Sequence, residues 1–399
     1  MTNEVENLPE LRFSGFSGKW EEKNFEELFD IHNNLRKPIK ESHRVEGIYR
    51  YYGATGVIDF VNHYIFDGEY ILIGEDGANI ITRSAPLVYL AKGKFWVNNH
   101  AHILTPKNGN IYYLFLVAEN VNYLKYNTGT AQPKLNIQNL KNINVNITID
   151  INEQQKIGNF FSKLDRQIEL EEQKLAKLEK QKKGYMQQIF SQELRFKDED
   201  GNIYPDWKEY VLGETGNTYS GLSSKTKEDF GYGNSYFITY MNVFKNTIAK
   251  ANMIEKVNIQ ENEKQNKVNY KDILFTTSSE VREETGMSSI WLYKESNVYL
   301  NSFCFGFRVT CDDIEPIYLT RFLRSEKMRK QITILSQGST RFNISKKEVM
   351  KLKIDVPNLE EQTKIVNFLS KYDSLIESQS NKIDLLKERK KGFLQKMFV

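Results

Sequence analysis

A stretch of this 399-residue chain is written twice, 208 residues apart. The segment from Glu153 through Gln154, Lys156, Ile157, Asn159, Phe160 and Lys163 to Asp165 returns as Glu361 through Gln362, Lys364, Ile365, Asn367, Phe368 and Lys371 to Asp373. The match continues to Lys182-Lys183-Gly184-Tyr185 against Lys390-Lys391-Gly392-Phe393 and ends at Phe190 against Phe398. A period this long means two large copies, not a solenoid of short repeats.

Each copy reads as one long helix. Asp150 and Asn358 stand three residues before Glu153 and Glu361, the spacing of an N-cap side chain and its reciprocal partner. Phe161, Leu164, Ile168, Leu175, Leu178, Tyr185 and Ile189 fall on a and d positions of a heptad. So do Leu369, Tyr372, Ile376, Ile383, Leu386, Phe393 and Met397 in the second copy. The interruptions are duplicated too: Glu171 matches Gln379, and Lys182 matches Lys390. A helix of about 38 residues rises roughly 57 Å, so its apolar stripe needs a long partner, and the other copy is the simplest one. The spacing leaves the direction of pairing open, and by itself it also fits a dimerisation handle.

Composition narrows the class. A hydrophobic content of 40% fits a globular protein with two cores plus the helices, and no apolar run reaches membrane-spanning length. The opening residues are too acidic for a signal peptide, which points to the cytoplasm. Cys304 and Cys311 are too few for a disulfide framework. His100 and His102 alternate on a strand without acidic or thiol ligands beside them, so they read as structural polar residues and no metal is assigned. A net charge of +3 neither demands nor forbids nucleic acid.

The segments outside the helices also resemble each other. Leu11-Arg12-Phe13 followed by Trp20 echoes Leu194-Arg195-Phe196 followed by Trp207. Gly129-Thr130-Ala131-Gln132-Pro133-Lys134-Leu135-Asn136-Ile137 lines up with Gly338-Ser339-Thr340-Arg341-Phe342-Asn343-Ile344 if two residues of length difference are allowed. Both loops follow an expected helix, over 111–126 and 317–335, and strand-like runs are expected over 69–74 and 272–277.

A variable domain ending in a Gly-Thr-Ala-Gln-Pro-Lys loop, a Glu-Gln-x-Lys-Ile helix, and then the same again resembles the DNA specificity subunit of Type I restriction-modification systems. The resemblance spans essentially the whole chain. It implies a mixed α+β fold with target recognition domains at 1–150 and 191–358. The repeated helices at 151–190 and 359–399 would pair as an antiparallel coiled coil. Each domain would read one half of a split DNA site, while the helices fix the gap and bind two methyltransferase subunits. S-adenosylmethionine, ATP and magnesium would sit on those subunits and on a motor-nuclease subunit, none of them here. A spacer fits this role because two readers need fixed distance and helical phase.

Candidate DNA contacts are Gly129, Thr130, Gln132 and Lys134, with Gln337, Ser339, Thr340 and Arg341 as counterparts. Gln can pair with adenine, and Lys can hold a phosphate or guanine. Arg83 and Ser84, and Ser278, Ser279 and Arg282, follow corresponding strands. Tyr49, Arg50 and Tyr51 are set loosely against Thr239, Tyr240 and Asn242. Asn159, Asp165, Asn367 and Asp373, repeated outside the seam, are the expected partner surface. Catalytic motifs are missing: none of the eight prolines is followed by another, as an adenine methyltransferase motif requires, and no phosphate loop occurs. Gly231-Tyr232-Gly233 fails the dinucleotide fingerprint, and Pro205-Asp206 reads as a turn. The rival readings are a coiled-coil scaffold without sequence-specific DNA binding and a module of a solitary methylation system.

Overall fold

The computed structural model describes residues 8–129 and 132–399. Two compact units divide the chain inside both long helices: residues 1–173 with 380–399, and residues 174–379.

Unit 1 carries a six-stranded sheet in the order Phe29–Ile31, Ala101–Pro106, Phe66–Gly74, Val88–Val97, Glu46–Gly53, Gly56–Val61. A two-stranded ribbon joins Glu21–Asn24 to Asn144–Ile147. Its core gathers Trp20, Phe25, Phe29, Ile71, Ile73 and Tyr113 with Ile157 and Phe161 of the first long helix and Met397 of the second.

Unit 2 repeats the plan with an insertion. Its ribbon joins Lys208–Val211 to Lys353–Val356. Its main sheet is split into a four-stranded part (Gly216–Ser220, Cys304–Val309, Ile273–Thr276, Ser288–Ile290) and a three-stranded part (Ile254–Val257, Phe230–Ile238, Val298–Leu300). The core sets Phe275, Phe307, Tyr318 and Phe322 against Ile189, Phe190, Ile365 and Leu369 of the long helices.

The helix expected over 111–126 is shorter, Ile111–Glu119, followed by a 3-10 turn Tyr123–Tyr126. The helix expected over 317–335 is two, Pro316–Leu323 and Glu326–Ile334, because Ser325 turns extended and accepts the N–H of Met328.

The long helices run Ile151–Phe190 and Leu359–Met397. Asp150 accepts the N–H groups of Asn152 and Glu153, and Asn358 accepts that of Glu361. The reciprocal half of the expected cap is absent, because both glutamates are committed elsewhere. Glu153 and Glu361 are 0% exposed. Glu153 takes a two-pronged hydrogen bond from Arg12 (2.6 and 2.7 Å), and Glu361 takes one from Arg195 (2.8 and 2.9 Å). The next residue is equally fixed. Gln154 Oε1 accepts the N–H of Asn110 and its Nε2 donates to Thr148 C=O, while Gln362 does the same for Glu315 and Pro357. The repeated Glu-Gln pair is therefore a foot that ties the helix start to the N-terminal strap and to the neighbouring short helix.

Along the seam an aromatic contact and a lysine–aspartate pair each occur in both units. Phe160 meets Phe393 edge to face at 5.1 Å in unit 1, and Phe368 meets Tyr185 at 5.1 Å in unit 2. Lys390 pairs with Asp165 (2.6 Å), and Lys182 pairs with Asp373 (2.5 Å). In unit 1 Lys382 also bonds Glu171, so residues 160, 165 and 171 meet 393, 390 and 382 and the segments run antiparallel. Ile168, Ile383 and Leu386 are buried; Leu164, Leu175, Leu178, Tyr185, Tyr372, Ile376 and Phe393 are half-buried. The lysines that break the apolar stripe are thus ion-paired across the seam. Asp165 and Asp373, expected on a partner surface, are used inside the chain: Tyr112 also donates to Asp165, and Arg321 to Asp373 (2.6 Å).

Candidate nucleic-acid interface

In both units the glycine loop lies against the turn that ends a central strand. In unit 1 the strand Phe66–Gly74 runs into Glu75-Asp76-Gly77; Gly77 N–H donates to Pro133 C=O (3.0 Å) and Leu135 N–H to Glu75 C=O (2.7 Å). Asn127 Oδ1 gathers the N–H groups of Gly129 (3.1 Å) and Lys134 (2.8 Å), which closes the loop. A Cβ on Gly129 would stand 1.6 Å from Gln132 C=O, so only glycine fits.

In unit 2 Ser278 and Ser279 pair with Asn343 and Phe342, and Ile344 N–H donates to Thr277 C=O (2.9 Å). Gly338 has φ +132°, and its Cβ would meet Arg341 C=O at 2.1 Å. Leu135 thus matches Ile344 and Gln132 matches Arg341, with no difference in loop length; the expected two-residue offset is corrected.

A second pair of equivalent turns borders the loops. Asn98 N–H bonds Tyr52 C=O, its Oδ1 accepts the N–H of His100 (2.8 Å), and Glu75 N–H donates to His100 C=O (2.9 Å). In unit 2 Asn301 N–H bonds Ile238 C=O, its Oδ1 accepts the N–H of Phe303 (2.9 Å), and Thr277 N–H donates to Phe303 C=O (2.9 Å). His100 and Phe303 hold the same place. The sequence signal was present, in Val97-Asn98-Asn99-His100-Ala101 and Leu300-Asn301-Ser302-Phe303-Cys304, but short and masked by unlike side chains.

This frame also corrects the pairing of Tyr49, Arg50 and Tyr51 with Thr239, Tyr240 and Asn242. Tyr52 matches Ile238, so Tyr240 stands where unit 1 has Ala54. Arg50 lies level with Phe95, itself opposite Phe66, about 26 Å along the strand from Gly74 at roughly 3.3 Å per residue. Tyr49 packs on Tyr64 (5.0 Å), and Arg50 is exposed. Those two residues are not brought to the loop.

Tyr240 is. Its hydroxyl donates to Ser278 C=O (2.5 Å), and with Met241, Phe244, Phe303 and Arg341 it lines a shallow groove. The Arg341 guanidinium donates to Ser278 Oγ (3.3 Å) and lies 5.3 Å over the Phe303 ring. Gln337, Ser339, Thr340 and Arg282 are exposed; Ser278 is buried and Ser279 half-buried. Asn242 is 0% exposed, and its amide brackets Lys250 N–H and C=O, so it braces the 242–253 segment and cannot meet DNA. Arg324, lowered by burial to about 10, donates to the carbonyls of Val243, Phe244 and Asn246 and so fixes the helix that carries Tyr240.

In unit 1 Gln132 and Ser84 are exposed, and Thr130 lies outside the described residues. Lys134 is held 3.5 Å from Glu75. Arg83, in a left-handed conformation (φ 48°), donates to Glu119 C=O and Oε1, so it anchors its turn to the helix end and is not a free cation. Both nitrogens of buried His102 are occupied: Nε2 donates to Leu135 C=O (2.7 Å) and Nδ1 accepts from Asn33 (2.8 Å). Burial pushes its imidazolium down. Burial opposes ionisation of Glu75 too, but the Arg36 hydrogen bond and charge, with Lys134 beside it, outweigh it and hold the carboxyl below its usual range. His100 Nδ1 meets Asp76 at 2.8 Å.

The family model of the Type I restriction modification DNA specificity domain matches residues 17–180 and again 204–388. A provisionally named type I restriction enzyme specificity subunit of Haemophilus influenzae is 36% identical over 139 residues, 35% of each chain. A second such protein, from Methanocaldococcus jannaschii, is 28% identical over 216 residues, so the matches span about a third and a half of these two relatives. The MjaVIII specificity subunit of the same archaeon is 23% identical over 430 residues, 98% of this chain and 94% of that one. The crystal structure of an S subunit from M. genitalium superposes with a TM-score of 0.63 at 16% identity, over 98% of this chain and 99% of that one, which shows a common fold. Matched twice by that model, once in each unit, the chain belongs to the Type I restriction modification DNA specificity domain family.

Proposed function

We propose that this chain is the non-catalytic specificity subunit of a Type I restriction-modification complex in the cytoplasm. Each unit reads one half of a bipartite double-stranded DNA site, and the paired helices set the unspecified gap. Two methyltransferase subunits bind the helices and bring S-adenosylmethionine; motor-nuclease subunits bring ATP and magnesium chemistry. The observation that carries this reading is one frame built twice with different side-chain chemistry at the same edge. Backbone hydrogen bonds, the glycine loop and the asparagine-braced turn are common to both units, whereas His100, Asp76 and Gln132 in one stand where Phe303, Ser278 and Arg341 stand in the other. Shared backbone with unlike side chains suits common contacts to phosphates and separate readout of bases.

On the long helices, Leu170, Leu375 and Leu385 are exposed and Asn159 and Asn367 lie on the outer face, which supports a protein partner there. The test is methylome sequencing of a host expressing this chain with its neighbouring methyltransferase, beside one lacking only this chain. The expected result is a methylated adenine motif of two unlike half-sites around a fixed gap, seen only with this chain. An active methyltransferase with no chain-dependent motif would leave a protein-binding scaffold.

A further inference from the structure

We infer that His100 and Phe303 are equivalent base-reading positions, each deciding which base its unit accepts at one step of its half-site; this rests on the function proposed above. The two copies of the frame act as an internal control. What is the same in both cannot distinguish unlike half-sites: the asparagine brace at Asn98 and Asn301, the glycines at 129 and 338, and the strand-end hydrogen bonds. What differs, on that same frame and open to solvent, can.

His100 and Phe303 meet all three conditions. Their backbones make matching hydrogen bonds on both sides. Both are half open: the His100 side chain is 50% exposed and the Phe303 residue 52%. Each also has a neighbour that fixes its chemistry. The Asp76 carboxylate can only accept, so His100 Nδ1 carries the hydrogen, and in the neutral ring Nε2 is then the acceptor. An acceptor at a base edge suits an amino group, that of adenine or cytosine. In unit 2 the Phe303 ring is covered by the Arg341 guanidinium, itself tethered to Ser278 Oγ. That pair presents an apolar edge for a thymine methyl beside a donor fork for guanine. Both devices are held before any DNA arrives, which limits the ordering cost of readout.

The methylome experiment tests this with four variants of the full chain: His100→Ala, His100→Asn, Phe303→Ala and Phe303→Leu. The wild-type chain must first give the bipartite motif; if it does not, the proposed function fails and this inference with it. Given that motif, the His100 variants are expected to lose discrimination about 10- to 100-fold at one position of one half-site, and the Phe303 variants at one position of the other. The untouched half-site and the gap stay as in the wild type. Two results would overturn the inference while leaving the proposed function intact: folded variants that methylate the unchanged motif, and folded variants that lose methylation uniformly at every site. Thermal unfolding of each variant identifies which are folded.

Discussion

The two units agree at the foot and differ at the tip. At the foot a buried glutamate holds an arginine in both, and a buried glutamine closes the neighbouring helix start in both. At the tip unit 1 has one continuous sheet and a histidine on an aspartate, while unit 2 has two separate sheets, with Ser288–Ile290 at the edge of the four-stranded one, and a phenylalanine under an arginine. Duplicated residues are kept where the chain must bind itself. They diverge where the same frame faces something external.

The foot itself is not perfectly symmetric, and that offers the largest test. Trp207 Nε1 donates to Glu361 (3.0 Å), whereas Trp20 Nε1 is buried with no hydrogen-bond partner among the described residues. Replacing Arg12 with Ala leaves the Glu153 carboxylate buried without its cation and should cost unit 1 about 3–5 kcal/mol. Arg195→Ala should cost unit 2 about 1 kcal/mol less, since the indole still supplies one hydrogen bond. Denaturant unfolding with hydrogen exchange resolved by unit reads both; equal losses would show that the indole bond contributes nothing.

A smaller difference separates the two seam aspartates. Asp373→Ala strands Arg321, which is 1% exposed and whose Nε and Nη1 already lack partners among the described residues. Because Asp373 is itself a third exposed, about 3 kcal/mol is expected, the low end for a broken buried pair. Asp165→Ala strands only the Tyr112 hydroxyl and a half-exposed lysine, for about 1 kcal/mol. The ratio of the two losses, read from unfolding midpoints at equal slope, sharpens the comparison. If it is near one, burial of Arg321 is not what Asp373 offsets.

Much of this architecture was legible because repetition is visible without structure. The long helices, their caps, the seam residues and the two glycine loops follow from periodicity and spacing. Three things did not. Glu153 and Glu361 read as cap partners because local spacing says nothing of an arginine 141 or 166 residues away. Asp165 and Asp373 read as surface because they lie off the heptad seam, yet half-buried lysines at seam positions reach them. The equivalence of His100 with Phe303, and of Tyr52 with Ile238, is carried by main-chain hydrogen bonds, to which side-chain identity is blind. Aligning Tyr49 with Thr239 by residue type therefore slipped by several positions.

Acid should act on unit 1 at one of these equivalent places. Unit 2 carries buried Phe305 opposite Phe275, at the place where unit 1 carries His102 opposite Ile73. Burial lowers the His102 pKa below its unfolded value near 6.5, so the folded state binds fewer protons there. The stabilisation from neutral His102 is complete above about 6.5 and is lost as pH falls toward the folded value, by at most ~1.4 kcal/mol per pH unit. Glu75, held below the usual carboxylate range, titrates below the window from pH 7 to 5, and Glu119, raised by burial, adds stability as pH falls, so a loss of stability over that window is assigned to the histidine. Protonation keeps the Nε2–H bond to Leu135 C=O and removes the Nδ1 lone pair that accepts from Asn33, so amide protection at Ile103, whose N–H Asn33 Oδ1 accepts, should fall first, while its counterpart Gly306 in unit 2 stays protected. His102→Gln keeps a donor for Leu135 and removes the titration. If that variant still loosened at pH 5 as the wild type does, the acid response would have to come from elsewhere in unit 1.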